Sequence, residues 1–281
     1  MTNEIAHPLV EGGDEDEAFK LVSVDATVDG VVTITMNRPE RRNALNAQLI
    51  EAMIAVLETV DNQDGIRIVF LRGAGGTFSA GADLEWMKRA ADYTESENRE
   101  DAFQMARMLK AIWDMPCLTV ALIEGGAFGG GGGIAAACDM AIATQASKFS
   151  FSEVRLGLIP GTISPYVVSA VGPRNARALF ATGRVFDADY AERIGLVSEV
   201  VADAAGLDAA QARLATEIMA CGPEAVADAK DLVTDVAWRK IDHHLMDETA
   251  HRIARARARE EGQEGVRAFL EKRKAAWTSP E

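Results

Sequence analysis

Leu118–Ile123, an apolar run rich in β-formers, leads into Gly125-Gly126-Ala127-Phe128-Gly129-Gly130-Gly131-Gly132-Gly133-Ile134 and then Ala135-Ala136-Ala137-Cys138-Asp139. A short apolar run, a turn almost without side chains and a small-residue helix around Ile134–Cys138 make one strand–turn–helix unit. Roughly fifty residues earlier the pattern occurs once before: Ile66–Arg72, the turn Gly73-Ala74-Gly75-Gly76, then Phe78-Ser79-Ala80-Gly81-Ala82-Asp83-Leu84 with a helix starting near Asp83. A backbone without side chains lets a ligand come close, and a helix N-terminus presents free N–H groups at the positive end of its dipole. One such turn alone reads more simply as close strand–helix packing. Two of them, each after a strand, point to a shared anion or oxyanion site. Neither is followed by Gly-Lys-Ser/Thr, which excludes a P-loop. The glycine run satisfies fragments of GxGxxG, but no acid is well placed to hold a ribose.

Outward from these turns, strands over Leu21–Val28 and Val31–Met36 flank the hairpin signal Asp29-Gly30. Asn46 is positioned to cap a helix carrying Leu49, Met53, Val56, Leu57 and Val60 at helical spacing. A further helix covers Asn98–Trp113, a strand Met140–Thr144, two helical stretches follow Pro160, and Gly195–Val201 reads as a late strand. From about Ala210 the pattern is helical. The expected fold class is α/β (α+β): repeated strand–turn–helix units with a helical C-terminal extension. The division predicted is a mobile acidic tail over 1–17, a core over 18–209 and a helical region over 210–281.

The 281 residues carry a formal charge of −14, with 48% hydrophobic and 26% charged residues, ordinary values for a globular enzyme. That charge argues against binding nucleic acid or anionic membranes. Arg252, Arg255, Arg257 and Arg259 form a local exception, read as a solvated or subunit-facing helix surface. No apolar run spans a bilayer, and the opening Met1-Thr2-Asn3-Glu4 lacks a basic, hydrophobic leader, so a cytoplasmic location is expected. Three cysteines lie far apart without CxxC spacing, against disulfides or a zinc knuckle. Of the four histidines, His243 and His244 are adjacent and so fall on different helix faces; no metal site is expected.

Five ordered motifs carry a resemblance. Asn37-Arg38-Pro39 with Asn43-Ala44-Leu45-Asn46 is similar to the N-terminal signature of the enoyl-CoA hydratase/isomerase (crotonase) superfamily. Phe78–Leu84 resembles its first oxyanion-hole segment and Gly125–Gly133, ending in Cys138-Asp139, its second. Phe151-Ser152-Glu153 with Leu156-Gly157-Leu158-Ile159-Pro160-Gly161 resembles the catalytic-acid segment, and Gly195-Leu196-Val197 the block beyond. The resemblance spans roughly residues 20–275. It implies a spiral of ββα units whose C-terminal helices organise a homotrimer or a dimer of trimers.

It further implies that the N–H groups of Ala82 and Gly130 hold a thioester oxygen. Attack at the β-carbon, or proton loss at the α-carbon, drives charge onto that oxygen, and one such donor contributes ~3 kcal/mol to the transition state. Ala80, Gly81, Asp83, Leu84, Gly129 and Gly133 then border the acyl-CoA. Coenzyme A arrives as part of the substrate, and no tightly bound cofactor is implied. Glu153 takes the place of the catalytic acid/base, its pKa raised by desolvation among Phe149, Phe151 and Leu156; by its residues alone it reads as a surface glutamate capping a turn. Asp83 reads as a helix cap, and Asp139 as structural. Trp86 and Met87 either line the acyl pocket or belong to the core. Phe269 and Lys272 either reach the CoA or form an exposed amphipathic helix end.

One departure stands out. Hydratases of this family hold water between two glutamates, and the second belongs where this chain has Gly133. Three readings follow. The chain is a hydratase working through Glu153 alone. The segments Ser152–Pro160 and Ile163–Tyr166 resemble bacterial methylglutaconyl-CoA hydratases, and Gly133 would leave room for a substrate carrying its own carboxylate. Alternatively it is a Δ3,Δ2-enoyl-CoA isomerase with one base; dienoyl isomerisation fits less well, because Gly161 stands where those enzymes place a second acid. The third reading, a non-catalytic acyl-CoA or RNA-binding relative, sits poorly with so acidic a chain.

Overall fold

The computed structural model describes residues 20–278; the tail expected over 1–17 lies outside them. Strands β1 (Val22–Ala26) and β2 (Val31–Met36) pair antiparallel with Val22 opposite Met36. Gly30 turns the chain between them at φ +79°, where a Cβ would also stand 2.0 Å from the Gly65 carbonyl oxygen. Helix α1 (Ala47–Asp61) starts where Asn46 accepts the Leu49 N–H at 2.9 Å, and it buries Leu49, Ile50, Met53, Val56, Leu57 and Val60. β3 (Ile68–Gly73) then joins β2 in parallel, Val31 opposite Ile68.

After the short helix α2 (Leu84–Ala90) comes α3 (Glu95–Asp114), which opens on a capping box of Thr94 and Glu97 and packs against α1. From here the chain alternates between two sheets. β4 (Leu118–Ile123), β6 (Met140–Thr144) and β9 (Glu199–Val201) extend one sheet of order β1-β2-β3-β4-β6-β9. β5 (Gly126–Phe128), β7 (Lys148–Ser150) and β8 (Phe186–Asp187) form the other, of order β5-β7-β8. Each circuit thus adds one strand to each sheet: β4, β5 and helix α4 (Gly130–Ala137), then β6, β7 and helix α5 (Ser164–Thr182), then β8, α6 (Ala188–Arg193) and β9. The parallel registers Val120 opposite Met140, Gly126 opposite Lys148 and Ile142 opposite Glu199 hold the turns in step. This is the mixed α/β spiral of ββα units that the motifs imply.

Two local expectations change. The glycines Gly130–Gly133 are not a turn before a helix but the first half of α4 itself. The two helical stretches expected after Pro160 are found as the two halves of α5, which break at the non-helical Gly172 (φ 73°, ψ 159°) ahead of Pro173. Of Gly195–Val201 only the last three residues are strand, because Gly195 (φ +87°) closes a turn after α6.

The chain divides into two compact units, one of residues up to Met115 with Thr119–Gln211, the other of Pro116–Leu118 with residues from Ala212 onward. Helix α7 (Ala204–Met219) crosses this division. The second unit carries α8 (Pro223–Val236), α9 (His243–Ala258) and α10 (Glu260–Leu270). In it the Glu261 carboxylate accepts the N–H groups of Glu224 and Ala225 at the start of α8, at 2.9 and 2.8 Å. Arg252 pairs with Asp235, and Arg259 with Glu224 and Asp228. Two of the clustered arginines are therefore neutralised within the unit.

Candidate active site

The first segment is fixed from three directions. Ala82 forms a parallel bridge with Leu45: the Leu45 N–H donates to Gly81 O at 2.7 Å, and the Asp83 N–H donates to Leu45 O at 2.8 Å. In such a bridge the middle residue's own N–H points away from its partner. Ser79 bridges Ala127, which brings the second glycine-rich segment alongside. The Ser79 hydroxyl donates to Asn43 O at 2.8 Å and accepts the Gly81 N–H at 3.2 Å. Asn43, fully buried at φ 53°, donates through Nδ2 to Ala74 O (2.8 Å) and Thr77 O (2.6 Å), while its Oδ1 accepts the Arg38 N–H. One carboxamide thereby ties the N-terminal signature to the first glycine turn.

Asp83 closes this segment as the cap of α2, its Oδ1 accepting from Glu85 N (2.9 Å) and Trp86 N (3.4 Å). Its Oδ2 pairs with Arg38 Nη2 at 3.0 Å, and Arg38 Nη1 also donates to Ala44 O. Burial by itself would raise the Asp83 pKa. The Arg38 contact and the two amides outweigh it and hold the carboxyl below the ordinary aspartate value. An ionised, fully engaged carboxylate is a structural part, which agrees with its reading as a cap.

In the second segment every glycine of the run marks a close approach. A Cβ on Gly129 (φ +49°) would stand 3.1 Å from Glu153 Oε1, on Gly130 2.6 Å from Leu45 Cδ1, and on Gly131 2.8 Å from Ser79 Cβ. On Gly132 it would meet Phe151 Cε1 at 2.8 Å, and on Gly133 Ile163 Cγ2 at 2.2 Å. Helix α4 is sheathed on all sides, as only a helix without side chains can be. Its first N–H groups have no intrahelical acceptor. Among the described residues the N–H groups of Ala82 and Gly130 have no hydrogen-bond acceptor, and Leu45 touches both residues.

Glu153 opens a 3-10 turn, Glu153–Leu156, that Gly157 ends at φ 73°. The Gly129 N–H donates to Ser150 O at 2.8 Å, which draws this turn against the start of α4. One carboxylate oxygen faces Gly129; the other, Oε2, is buried without a partner. Burial pushes the Glu153 pKa up, only partly offset by its own backbone N–H. Phe149 and Phe151 are buried as expected, but Leu156 is 60% exposed and is not one of the desolvating neighbours.

The first unit therefore brings Ala80, Gly81, Ala82, Asp83, Gly129, Gly130 and Glu153 together. Leu84 follows the cap and is 72% exposed, while Trp86 donates through Nε1 to Asp101 Oδ1 at 3.0 Å and so links α2 to α3. Gly133 does not open onto free space, because Ile163 fills it; the expected room for a carboxylate-bearing substrate is absent there. Asp139 accepts from the Thr119 N–H (2.8 Å) and hydroxyl (2.9 Å), a strand tie. Phe269 and Lys272 belong to the second unit, both exposed, Lys272 at φ 56°. Among the described residues no cluster of His, Cys, Asp or Glu suits a metal ion, and no helix is long and apolar enough to cross a membrane. Residue types alone gave no reason to single out Leu45 and Ile163. Their signal was complementarity: large side chains against glycines distant in sequence.

The enoyl-CoA hydratase/isomerase family model matches residues 26–280. A structure from Legionella pneumophila bearing the name enoyl CoA hydratase/isomerase (crotonase) is 43% identical, with a TM-score of 0.87, covering 92% of this chain and 99% of that one. An enoyl-CoA hydratase structure from Shewanella pealeana is 36% identical with a TM-score of 0.89, covering 95% and 100%. A Thermus thermophilus protein with an enoyl-CoA hydratase assignment is 32% identical over 245 residues, 86% of this chain and 95% of that protein.

Proposed function

Because the chain belongs to the enoyl-CoA hydratase/isomerase family, we propose that it adds water to a 2-enoyl-CoA thioester with Glu153 as its acid/base and Ala82 and Gly130 as oxyanion donors. The observation that carries this is the half-buried Glu153 carboxyl, its Oε2 buried and unpartnered, beside a helix start whose N–H is free. Glu153 takes a proton from water as the oxygen bonds to C3. The C2=C3 electrons move into the thioester, and the Ala82 and Gly130 N–H groups stabilise the resulting enolate oxygen. C2 then takes a proton from Glu153, which restores the carboxylate. Coenzyme A enters as part of the substrate, bordered by Ala80, Gly81, Asp83 and Leu84.

A branched 2-enoyl-CoA of the 3-methylglutaconyl type is the substrate this reading favours, on the resemblance of Ser152–Pro160 and Ile163–Tyr166. The protein works as a homotrimer or dimer of trimers; Trp238 and Ile241 of the second unit, 90% and 83% exposed, suit such an assembly. A second reading has its own support. With Gly133 covered by Ile163 and Asp83 engaged as a cap and with Arg38, Glu153 is left as the base, and one base suffices to move a proton from C2 to C4 as a Δ3,Δ2-enoyl-CoA isomerase. Assays of wild type and Glu153→Gln with crotonyl-, 3-hexenoyl- and 3-methylglutaconyl-CoA separate these. Full activity in Glu153→Gln removes the proposed role of Glu153, and conversion of 3-hexenoyl-CoA in preference to the 2-enoyl substrates selects the isomerase.

A further inference from the structure

Gly129 caps the start of α4 with non-helical backbone (φ 49°, ψ −115°), and Gly133 follows one turn inside the helix, its N–H donating to Gly129 O at 3.0 Å. Glu153 occupies the first position and Ile163 the second. The two contacts differ in kind. At Gly129 the neighbour is a carboxylate oxygen, the far end of a flexible side chain. At Gly133 a Cβ would stand 2.2 Å from Ile163 Cγ2 and 2.8 Å from Ile163 Cβ. Rotation about χ1 can move Cγ2 but leaves Cβ in place, and a β-branched side chain has few rotamers to offer. Ile163 is itself held: it is 2% exposed, and its carbonyl accepts the Val167 N–H at 3.1 Å as α5 begins. The Ser164 hydroxyl is anchored to Gly161 O at 2.8 Å. Any side chain at 133 therefore requires Ile163 to be cut back or the backbone to shift.

We propose that Ile163, seated on Gly133, fixes this as a site with one proton-transferring carboxyl, by filling the space that an acidic side chain at 133 would need. Positions 133 and 163 exchange volume: a carboxylate can stand at 133 only when 163 is emptied. Ile163 is a positioning residue that acts through position 133. The proposal rests on Glu153 as the acid/base and adds why it acts alone.

The test compares Gly133→Glu, Ile163→Gly and the double variant, each as the full chain, by thermal melting and by hydration of crotonyl-CoA. Gly133→Glu alone is expected to melt below wild type without faster hydration. The double variant is expected to regain the lost stability and to hydrate crotonyl-CoA ~10²-fold faster than wild type, the scale of an added general acid or base. Gly133→Glu melting with wild type overturns the packing claim, and a double variant that folds but hydrates no faster overturns the one-carboxyl claim. Should the double variant not fold, Gly133→Ala is measured in wild-type and Ile163→Ala backgrounds. A Tm loss that vanishes in the second background supports the volume exchange, and equal losses overturn it. None of these outcomes depends on Glu153→Gln in the wild type, which alone decides the Glu153 reading.

Discussion

Asp83 offers the sharpest test of how the first oxyanion segment is held. Asp83→Ala removes the α2 cap and strands the Arg38 guanidinium, whose side chain is 11% exposed against 8% for Asp83. Loss of a cap costs ~1 kcal/mol. A deeply buried ion whose partner is removed costs about 3–5 kcal/mol. This pair is shallower, since Ala82 and Leu84 on either side of Asp83 are exposed and Arg38 keeps its bond to Ala44 O; about 2 kcal/mol suits it. The sum is ~3 kcal/mol for Asp83→Ala and ~2 kcal/mol for Asp83→Asn, which keeps an oxygen for the cap. Combining Asp83→Asn with Arg38→Met should recover ~1 kcal/mol, because no charge is then stranded. Urea denaturation of the four proteins at pH 7 measures these differences. The Asp83 pKa is depressed on folding, so its stabilisation is full above the unfolded value of about 3.9 and fades as pH falls through the lower folded value. The gap between wild type and Asp83→Asn must therefore narrow below about pH 4. Equal stability of wild type and Asp83→Asn at pH 7, or a gap that does not shrink in acid, refutes the assignment.

Four other outcomes follow from the same geometry. Because burial raises the Glu153 pKa, the acid limb of kcat/KM should lie above the ordinary glutamate value of about 4.3 and be absent in Glu153→Gln. The sign for stability is the reverse of Asp83: the folded state holds the Glu153 proton more tightly, so its contribution falls as pH rises from about 4.3 to the folded value, and that slope disappears in Glu153→Gln. Gly129→Ala puts a Cβ at φ +49° and 3.1 Å from Glu153 Oε1; a stability loss of ~1–3 kcal/mol, with reduced kcat, is expected from denaturation and steady-state kinetics. Asn43→Ala leaves Ala74 O, Thr77 O and the Arg38 N–H without their carboxamide partners, a loss of ~3 kcal/mol at about 1 kcal/mol per bond, readable in the same denaturation experiment.

Much of the architecture was legible because it obeys local rules. Asp29-Gly30 marks a hairpin wherever it separates two β-rich runs, and Asn46 and Asp83 announce helix starts by their side chains alone. The start of α3 at Glu95 was signalled too, by Thr94 and Glu97, but the apolar periodicity begins only later and drew the boundary to Asn98. What could not be read was long-range. A run of glycines has neither period nor propensity, so nothing local says that Gly130–Gly133 are helical; Leu45, Ser79, Phe151 and Ile163, distant in the chain, decide it. The likeness of Phe151-Ser152-Glu153 to the family's acid segment pointed to the carboxyl, yet its desolvation comes from the folded surroundings of Gly129 rather than from Leu156 beside it.

Helix α4 has one more consequence. Each glycine in a helix interior costs about 1 kcal/mol relative to alanine, so four in succession leave this segment without any tendency to coil before its neighbours arrive. It cannot nucleate folding and must order last, clamped between strands and helices already assembled. The Gly133 amide, buried and donating to Gly129 O at 3.0 Å, is therefore a reporter of the completed native state: its hydrogen exchange should track global unfolding rather than local fraying. Any partly folded intermediate would be blind to a thioester, and a destabilising change remote from the site would silence chemistry before it erased secondary structure.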